Sequence, residues 1–143
     1  MFRKVAATVS TTLVLLLAGA GAAQAEGSFN SYISGWFTGI TSRTWSDNNT
    51  DSAATTIRFS GCTWQQEPVP GSVSSATVML VRVRDLAPDS DVSAKTLACT
   101  ASSGSTGNWG DVSKSDYKFR LTKINGSTTT NYQLAVKTVA VKY

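Results

Sequence analysis

The stretch that decides the fold is Tyr117-Lys118-Phe119-Arg120-Leu121-Thr122, in which large apolar and polar residues alternate without interruption. This period of two is typical of a β-strand with one buried face and one face in water. Asn125-Gly126 follows, a pair that strongly favours a tight hairpin turn. We therefore predict a hairpin in which the last strand folds back with Tyr132 opposite Phe119 and Leu134 opposite Tyr117.

The last strand itself carries the same alternation but changes its phase once. Leu134 and Val136 share one face, and Val139 and Val141 continue that face only if one residue is skipped. A β-bulge inserts one extra residue into a strand in this way. We predict a bulge at Lys137-Thr138.

Upstream segments show shorter versions of the same pattern. Met79, Val81 and Val83 alternate with arginines, which predicts a central strand with one charged face, and Ile57 and Phe59 flank another arginine. No window of a dozen residues has a helical period. About seven short strands separated by turn residues predict an all-β fold, a single antiparallel β-sandwich (Ig-like or related), with an open barrel as the second choice.

Residues 1–25 have the pattern of a secretory signal peptide. Arg3 and Lys4 precede an apolar stretch at 5–21, and Ala23-Gln24-Ala25 is a small-residue cleavage site. We expect cleavage there and a secreted, extracellular domain of residues 26–143. No later stretch approaches the roughly 18 apolar residues that a membrane-spanning helix needs.

Composition excludes several classes of function. The chain has 13 basic and 9 acidic residues, and removal of Arg3 and Lys4 leaves a net charge of +2, too small for the basic face of a nucleic-acid binder. The chain contains no histidine, which removes Ser-His-Asp catalysis, Cys-His catalysis and histidine-ligated zinc. We expect a protein without catalytic residues, cofactor or metal.

Export to an oxidising compartment would favour a disulfide between the two cysteines. Cys62 and Cys99 are the only cysteines in the chain, and an isolated pair in an oxidising compartment most often forms a disulfide. The strand of Ile57 and Phe59 runs into Cys62, and Cys99 shares a face with Leu97 in a later strand. We therefore predict a Cys62–Cys99 disulfide that bridges the two sheets.

One acidic segment resembles the opening of a calcium loop. Asp47, Asn49 and Asp51 have the right spacing, but the sixth position is Ser52 instead of glycine and the twelfth is Arg58 instead of glutamate. We favour a loop of Asx-turns, with calcium binding as the alternative.

Paired carboxylates are the remaining route to catalysis, because they hydrolyse glycosides without histidine. The candidates are Glu67, Asp85, Asp89, Asp91, Asp111 and Asp116. Nearly all of them lie in turn-like segments, and none lies in an apolar stretch of sequence that would raise its pKa, as a general acid requires. The sequence therefore gives little support to a hydrolase.

The N-terminal region at 26–44 is aromatic and interrupted by glycine. An edge strand of the sandwich and an extended arm that docks on another protein by strand addition both fit this composition. The residues that we expect to contact a partner protein are Phe29, Tyr32, Trp36, Phe37, Arg43 and Trp45.

Two further tryptophans, Trp64 and Trp109, lie among turn residues and amides. We favour packing into the core for each. The alternative is an exposed contact with sugar or with a partner protein.

Four functions from different classes fit these features. The first is a protein-binding adaptor, and the second is a carbohydrate-binding, lectin-like protein. The third is a protease inhibitor, for which only Glu67-Pro68-Val69-Pro70-Gly71 is stiff enough to serve as the exposed loop. The fourth is a toxin acting alone, against which the lack of an amphipathic stretch argues.

Several segments of the chain together carry a resemblance to known proteins: the export signal, Ser42-Arg43-Thr44-Trp45-Ser46-Asp47, Ser60-Gly61-Cys62, Cys99, Tyr117-x-Phe119 and Val139-x-Val141-x-Tyr143. In these segments the chain resembles the small secreted adaptor subunits of the umbrella toxin particles of Streptomyces-type bacteria. The resemblance implies a non-enzymatic adaptor that links a lectin-like subunit to a large toxin subunit with spoke-like repeats in an extracellular antibacterial particle. It also implies that residues 26–44 insert into the lectin-like partner.

Overall fold

The computed structural model describes residues 26–65, 71–99, 103–128, 131 and 133–143. The expected signal peptide and Tyr132 lie outside these residues. The described part of the chain contains no helix. Its nine strands are β1 (Ser28–Trp36), β2 (Trp45–Asp47), β3 (Thr56–Gln65), β4 (Gly71–Ser72), β5 (Ser75–Val83), β6 (Ser90–Ala98), β7 (Ser105–Asn108), β8 (Ser115–Ile124) and β9 (Gln133–Lys142).

The strands form two antiparallel sheets packed face to face, so the predicted β-sandwich is confirmed and the open barrel is wrong. The first sheet has the order β1-β9-β3, and β4 and β7 both pair with the far side of β3. The second sheet has the order β2-β8-β5-β6.

The core lies between the sheets and is built from alternate residues of the long strands. Ile57 and Phe59 of β3 and Phe119 and Leu121 of β8 are at most 2% exposed. Phe59 meets Phe119 edge to face across the sandwich, with ring centroids 5.9 Å apart, a separation that aromatic pairs prefer. The period-two pattern of the sequence is thus explained by burial of one face of each strand.

The predicted pairing of the last two long strands is wrong. Asn125 and Gly126 do form a tight turn, with φ of 50° and 79°, and Ile124 and Ser127 exchange backbone hydrogen bonds of 3.0 Å across it. After this turn the chain leaves the second sheet and enters the first. Leu134 is paired with Trp64 of β3 instead of Tyr117. Both edges of β8 are already occupied, by β2 and β5, so β9 pairs elsewhere.

The predicted bulge at Lys137-Thr138 is confirmed in the pairing of β9 with β1. Ser31 pairs with Val139 and Ile33 with Val136, so β9 contains one residue more than β1 between these two pairs. Opposite Lys137, on β3, lies Gly61 with φ of +70°, where a Cβ atom would meet the Cβ of Lys137 at 2.9 Å. Glycine therefore permits the close approach of the two strands at this point.

The prediction for β5 is half right. It is a central strand, between β8 and β6, but its core-facing residues are Ala76, Val78 and Leu80. Val81 is fully buried without belonging to the core cluster. It is paired with Lys118 and Asp91 on the neighbouring strands, so charged side chains surround it on the outer face of the sheet.

The predicted disulfide is confirmed. Cys62 lies on β3 and Cys99 directly follows β6, so the bond joins the two sheets. Both residues are less than 9% exposed and belong to the core cluster. The bridge spans 37 residues of sequence, and no described cysteine is free.

Replacing both cysteines by alanine should lower the free energy of unfolding by about 4 kcal/mol, because the bond restricts the unfolded chain over a loop of this length. Equilibrium denaturant unfolding measures the difference. Reductant should destabilise the native protein similarly and leave the Cys62→Ala/Cys99→Ala variant unchanged. Two free thiols in the intact non-reduced protein, found by mass spectrometry, would contradict the assignment.

Candidate protein-docking groove

One side of the sandwich carries an open groove between the two sheets. β1 is the edge of the first sheet and the short β2 is the edge of the second. Between β1 and residues 42–43 lies a groove of about 90 Å³. We call it the β1 groove, and its lining residues are Phe29, Ser31, Tyr32, Ile33, Trp36, Ser42, Arg43, Phe119 and Val139.

The far wall of the groove is set by the chain as it crosses from one sheet to the other. After β1, Gly39 turns with φ of +96° and donates a backbone hydrogen bond to Leu121 on β8. Ser42 then donates its backbone N–H to the carbonyl of Phe119 at 2.8 Å, and its Oγ accepts the N–H of Phe119 at 2.9 Å. These bonds hold residues 39–43 against β8 and leave a gap between them and β1.

A cluster of aromatic rings supports the groove from inside. Trp45 is 4% exposed, and its ring centroid lies 5.8 Å from Phe29, 6.0 Å from Tyr143 and 6.5 Å from Tyr117. The Cζ atom of Arg43 lies 3.8 Å from the centroid of Phe29, in cation–π contact. Phe29 is therefore held between the buried Trp45 and the guanidinium of Arg43.

Four of the six predicted partner-contact residues line the β1 groove: Phe29, Tyr32, Trp36 and Arg43. Phe37 directly follows β1 and is 43% exposed. Trp45 is the exception, because it is buried in the core and offers almost no side-chain surface to a partner. Its role here is to support Phe29.

Three large apolar side chains on β1 and on the segment that follows it are exposed. Tyr32 is 71% exposed, Phe37 43% and Ile40 38%. Phe37 and Ile40 belong to one turn, in which the Ile40 N–H donates to the Phe37 carbonyl at 3.4 Å, and Tyr32 lines the groove. Exposed apolar side chains grouped on one segment are typical of interaction surfaces, whereas single ones are common on any protein. We call Tyr32, Phe37 and Ile40 the apolar rim.

The N-terminal region adopts the edge-strand alternative. Residues 28–36 form β1, which pairs with β9, and Ile33 is 3% exposed. Gly27 exchanges two backbone hydrogen bonds with Tyr143. This region is therefore folded onto the sandwich in the isolated chain.

The acidic loop after β2 contains the favoured Asx-turns. Asp47 Oδ1 accepts the backbone N–H of Asn49 at 3.0 Å, and Asp51 Oδ1 accepts that of Ala53 at 2.6 Å. The other carboxylate oxygen of Asp47 accepts a hydrogen bond from the Thr55 hydroxyl. Among the described residues, no group of three or more acidic, cysteine or histidine side chains is arranged to hold a metal ion.

Most of the carboxylates considered for catalysis are engaged in structural contacts. Asp89 pairs with Lys118 at 2.6 Å and Asp91 with Arg120 at 2.8 Å. The hydrogen bond from Lys118 holds the pKa of Asp89 below its ordinary value, which is opposite to what a general acid needs. Asp111 and Asp116 accept side-chain hydrogen bonds from Asn49 and Ser46, Asp85 lies exposed in the β5–β6 loop, and Glu67 lies outside the described residues.

Trp64 and Trp109 both pack against the core, as we favoured from the sequence. Trp109 donates its indole N–H to the backbone carbonyl of Ser93 at 2.9 Å. Its ring lies so close to Gly107 that a Cβ atom there would be 2.8 Å away. This ring therefore holds β7 against β6. Residues 66–70, the core of the proposed inhibitor loop, lie outside the described residues.

No family model, curated protein or solved structure matches this chain. The resemblance to the umbrella adaptor subunits therefore stays an expectation from the sequence. In the ranges that the structure describes, no helix is long and apolar enough to cross a membrane.

Glu26 ties the start of β1 to the acidic loop, which adjoins the aromatic cluster. Its carboxylate accepts the backbone N–H groups of Thr50 and of Asn48, the latter at 2.8 Å. The hydrogen bonds from Thr50 and Asn48 hold the pKa of Glu26 below its ordinary value of 4.5. A carboxyl whose pKa is lower in the folded state stabilises the fold above its unfolded pKa, and this contribution is lost as the pH falls through the folded pKa.

Glu26→Gln should therefore lower the free energy of unfolding at about pH 7, and the difference from the native protein should shrink at about pH 3. Denaturant unfolding at both pH values measures this. Asp85→Asn, which neutralises an exposed carboxylate of the β5–β6 loop, is the matched control and should change little. A difference that stays constant with pH would show that the charge of Glu26 does not contribute.

Proposed function

We propose that this protein is a secreted, non-enzymatic adaptor that links a lectin-like protein to a large, repeat-containing toxin subunit in an extracellular antibacterial particle. The observation that carries the proposal is the β1 groove together with the apolar rim. Tyr32 lines this apolar groove, and the exposed Phe37 and Ile40 follow in the segment that leads from β1 to its far wall. Such a surface favours burial against another protein. The sequence resemblance supplies the identity of the partners.

The chemistry of the described residues supports a binding role. The chain has no histidine, and its ion-paired carboxylates, Asp89 and Asp91, are held by Lys118 and Arg120. Among the residues that line the β1 groove, the only ionisable side chains are Arg43 and Tyr32. A surface of this kind favours contact over catalysis.

An adaptor needs a second surface, and the opposite side of the sandwich offers one. Leu86, in the loop between β5 and β6, is fully exposed, and Val92 on β6 is 45% exposed. β6 is the edge of the second sheet opposite to β2, so these residues lie across the sandwich from the β1 groove. Two partners could therefore bind without competing for the same surface.

The carbohydrate alternative receives less support. It rested on Trp64 and Trp109, and both pack against the core. The indole N–H of Trp109 donates to the backbone carbonyl of Ser93 and is therefore not free to donate to a sugar hydroxyl.

The adaptor proposal predicts that the protein, tagged at its C-terminus and purified from its native producer's culture medium, co-elutes with two other proteins in stoichiometric amounts. Tyr32→Ala/Phe37→Ala should remove one of them and Leu86→Ala the other, because each change deletes exposed apolar area from a different side. Mass spectrometry identifies what remains bound.

Arg58→Ala, an exposed substitution on β3, which lies between β7 and β9 in the first sheet, is the control and should keep both partners. Elution of the native protein alone, as a monomer, would overturn the adaptor function. Specific binding on a glycan array that is lost in Trp109→Ala would then favour the carbohydrate alternative.

A further inference from the structure

The outer edge of β1 carries backbone groups that face away from the sheet. Gly27 and Tyr143 exchange both of their backbone hydrogen bonds, at 2.8 and 3.0 Å, and form a hydrogen-bonded pair. Antiparallel pairing alternates between bonded and non-bonded pairs. The register is unbroken up to Ser31, so the N–H and C=O groups of Ser28 and Asn30 point away from β9.

No other strand of the described residues pairs with β1 on that side. The neighbouring edge in the second sheet is short, because β2 spans only Trp45–Asp47. The open edge of β1 is therefore a template for one further strand.

The β1 groove lies beside this open edge. A strand added there would turn alternate side chains toward the gap between the sheets, as every strand of a sandwich does. The gap is lined by apolar groups, including Phe29, Ile33 and Phe119. Its volume of about 90 Å³ corresponds to about three water molecules, room for a small aliphatic side chain.

Charge indicates what the added strand brings. The ion pairs among the described residues are Lys118–Asp89 and Arg120–Asp91, and Arg43 has no carboxylate partner within the described ranges. Its guanidinium lies over Phe29 at the rim of the groove. A carboxylate placed there would gain an ion pair next to an apolar surface.

A second copy of β1 does not supply this group. Residues 28–36 contain no acidic side chain. Because Arg43 lies over Phe29 of this strand, a second copy would bring a further cation and no carboxylate. The complementary occupant is a different protein.

We propose that β1 accepts an extended strand from a partner protein, which pairs with the outward backbone groups of Ser28 and Asn30. Small aliphatic side chains of that strand face the β1 groove, and an acidic side chain binds Arg43. This deepens the proposed adaptor function and rests on it for the identity of the partner, but the mode of binding is testable by itself.

The decisive variant is Asn30→Pro. Proline removes the outward N–H of residue 30, which β9 does not use, and proline is tolerated on edge strands at such positions. In the pull-down, Asn30→Pro should weaken capture of one partner about tenfold, as expected from the loss of one hydrogen bond and the clash of the ring with an added strand. Asn30→Ala keeps the N–H and should bind as the native protein does.

A synthetic peptide separates this inference from the adaptor function. The probe is an extended peptide of about six residues with alternating valine and threonine and one glutamate. Amide hydrogen exchange should show new protection at Ser28 and Asn30 when the peptide binds. Arg43→Glu should weaken binding and should be rescued when lysine replaces the glutamate of the peptide.

The outcomes distinguish the two proposals. If the native protein captures two partners and Asn30→Pro keeps both, strand addition is overturned while the adaptor function stands. If no partner is captured but the peptide protects Ser28 and Asn30, the adaptor function fails and strand addition stands. If the peptide gives no protection at saturating concentration and Arg43→Glu changes no capture, strand addition is overturned. Far-UV circular dichroism checks that each variant is folded.

Discussion

The contact of Phe119 with the opposite sheet is the interaction on which the rest of the structure depends. Its ring packs against Phe59 across the core and, at 5.8 Å, against Trp36 on the edge strand. Its backbone N–H and C=O are both bonded to Ser42, the residue that forms the far wall of the β1 groove. One residue thus joins the core to the surface. The ring of Phe119 therefore belongs both to the core cluster and to the lining of the groove.

The sequence predicted the elements better than their partners. Alternation identified β3, β8 and β9, and the bulge at Lys137-Thr138 followed from a change of phase that burial imposes. Asn125-Gly126 correctly marked a turn, but a turn signal does not say which sheet the chain enters next. That depends on β2 and β5, which are distant in sequence and occupy both edges of β8. Val81 was misassigned because charged neighbours bury it on the outer face.

The candidate site was predicted in part. Aromatic composition pointed to residues 26–44, and four of the expected contact residues line one groove. The sequence does not distinguish Trp45 from Trp36. Trp45 is buried because its ring packs against Tyr117 and Tyr143, which are distant in sequence. Ile33 and Phe119 also line the groove, but in the sequence they have the pattern of ordinary core residues. The groove exists because the chain changes sheets at residues 37–44, which no local pattern reports.

The pairing of Gly27 with Tyr143 has a mechanical consequence. The two ends of the sandwich leave from the same point on neighbouring antiparallel strands. A force that pulls these ends apart acts on one hydrogen-bonded pair at a time and peels β1 from β9. It does not load all the pairs together, as pulling along the strand axis would. A tether attached at both ends would therefore release the edge strand first, while the disulfide between β3 and the end of β6 keeps the two sheets joined.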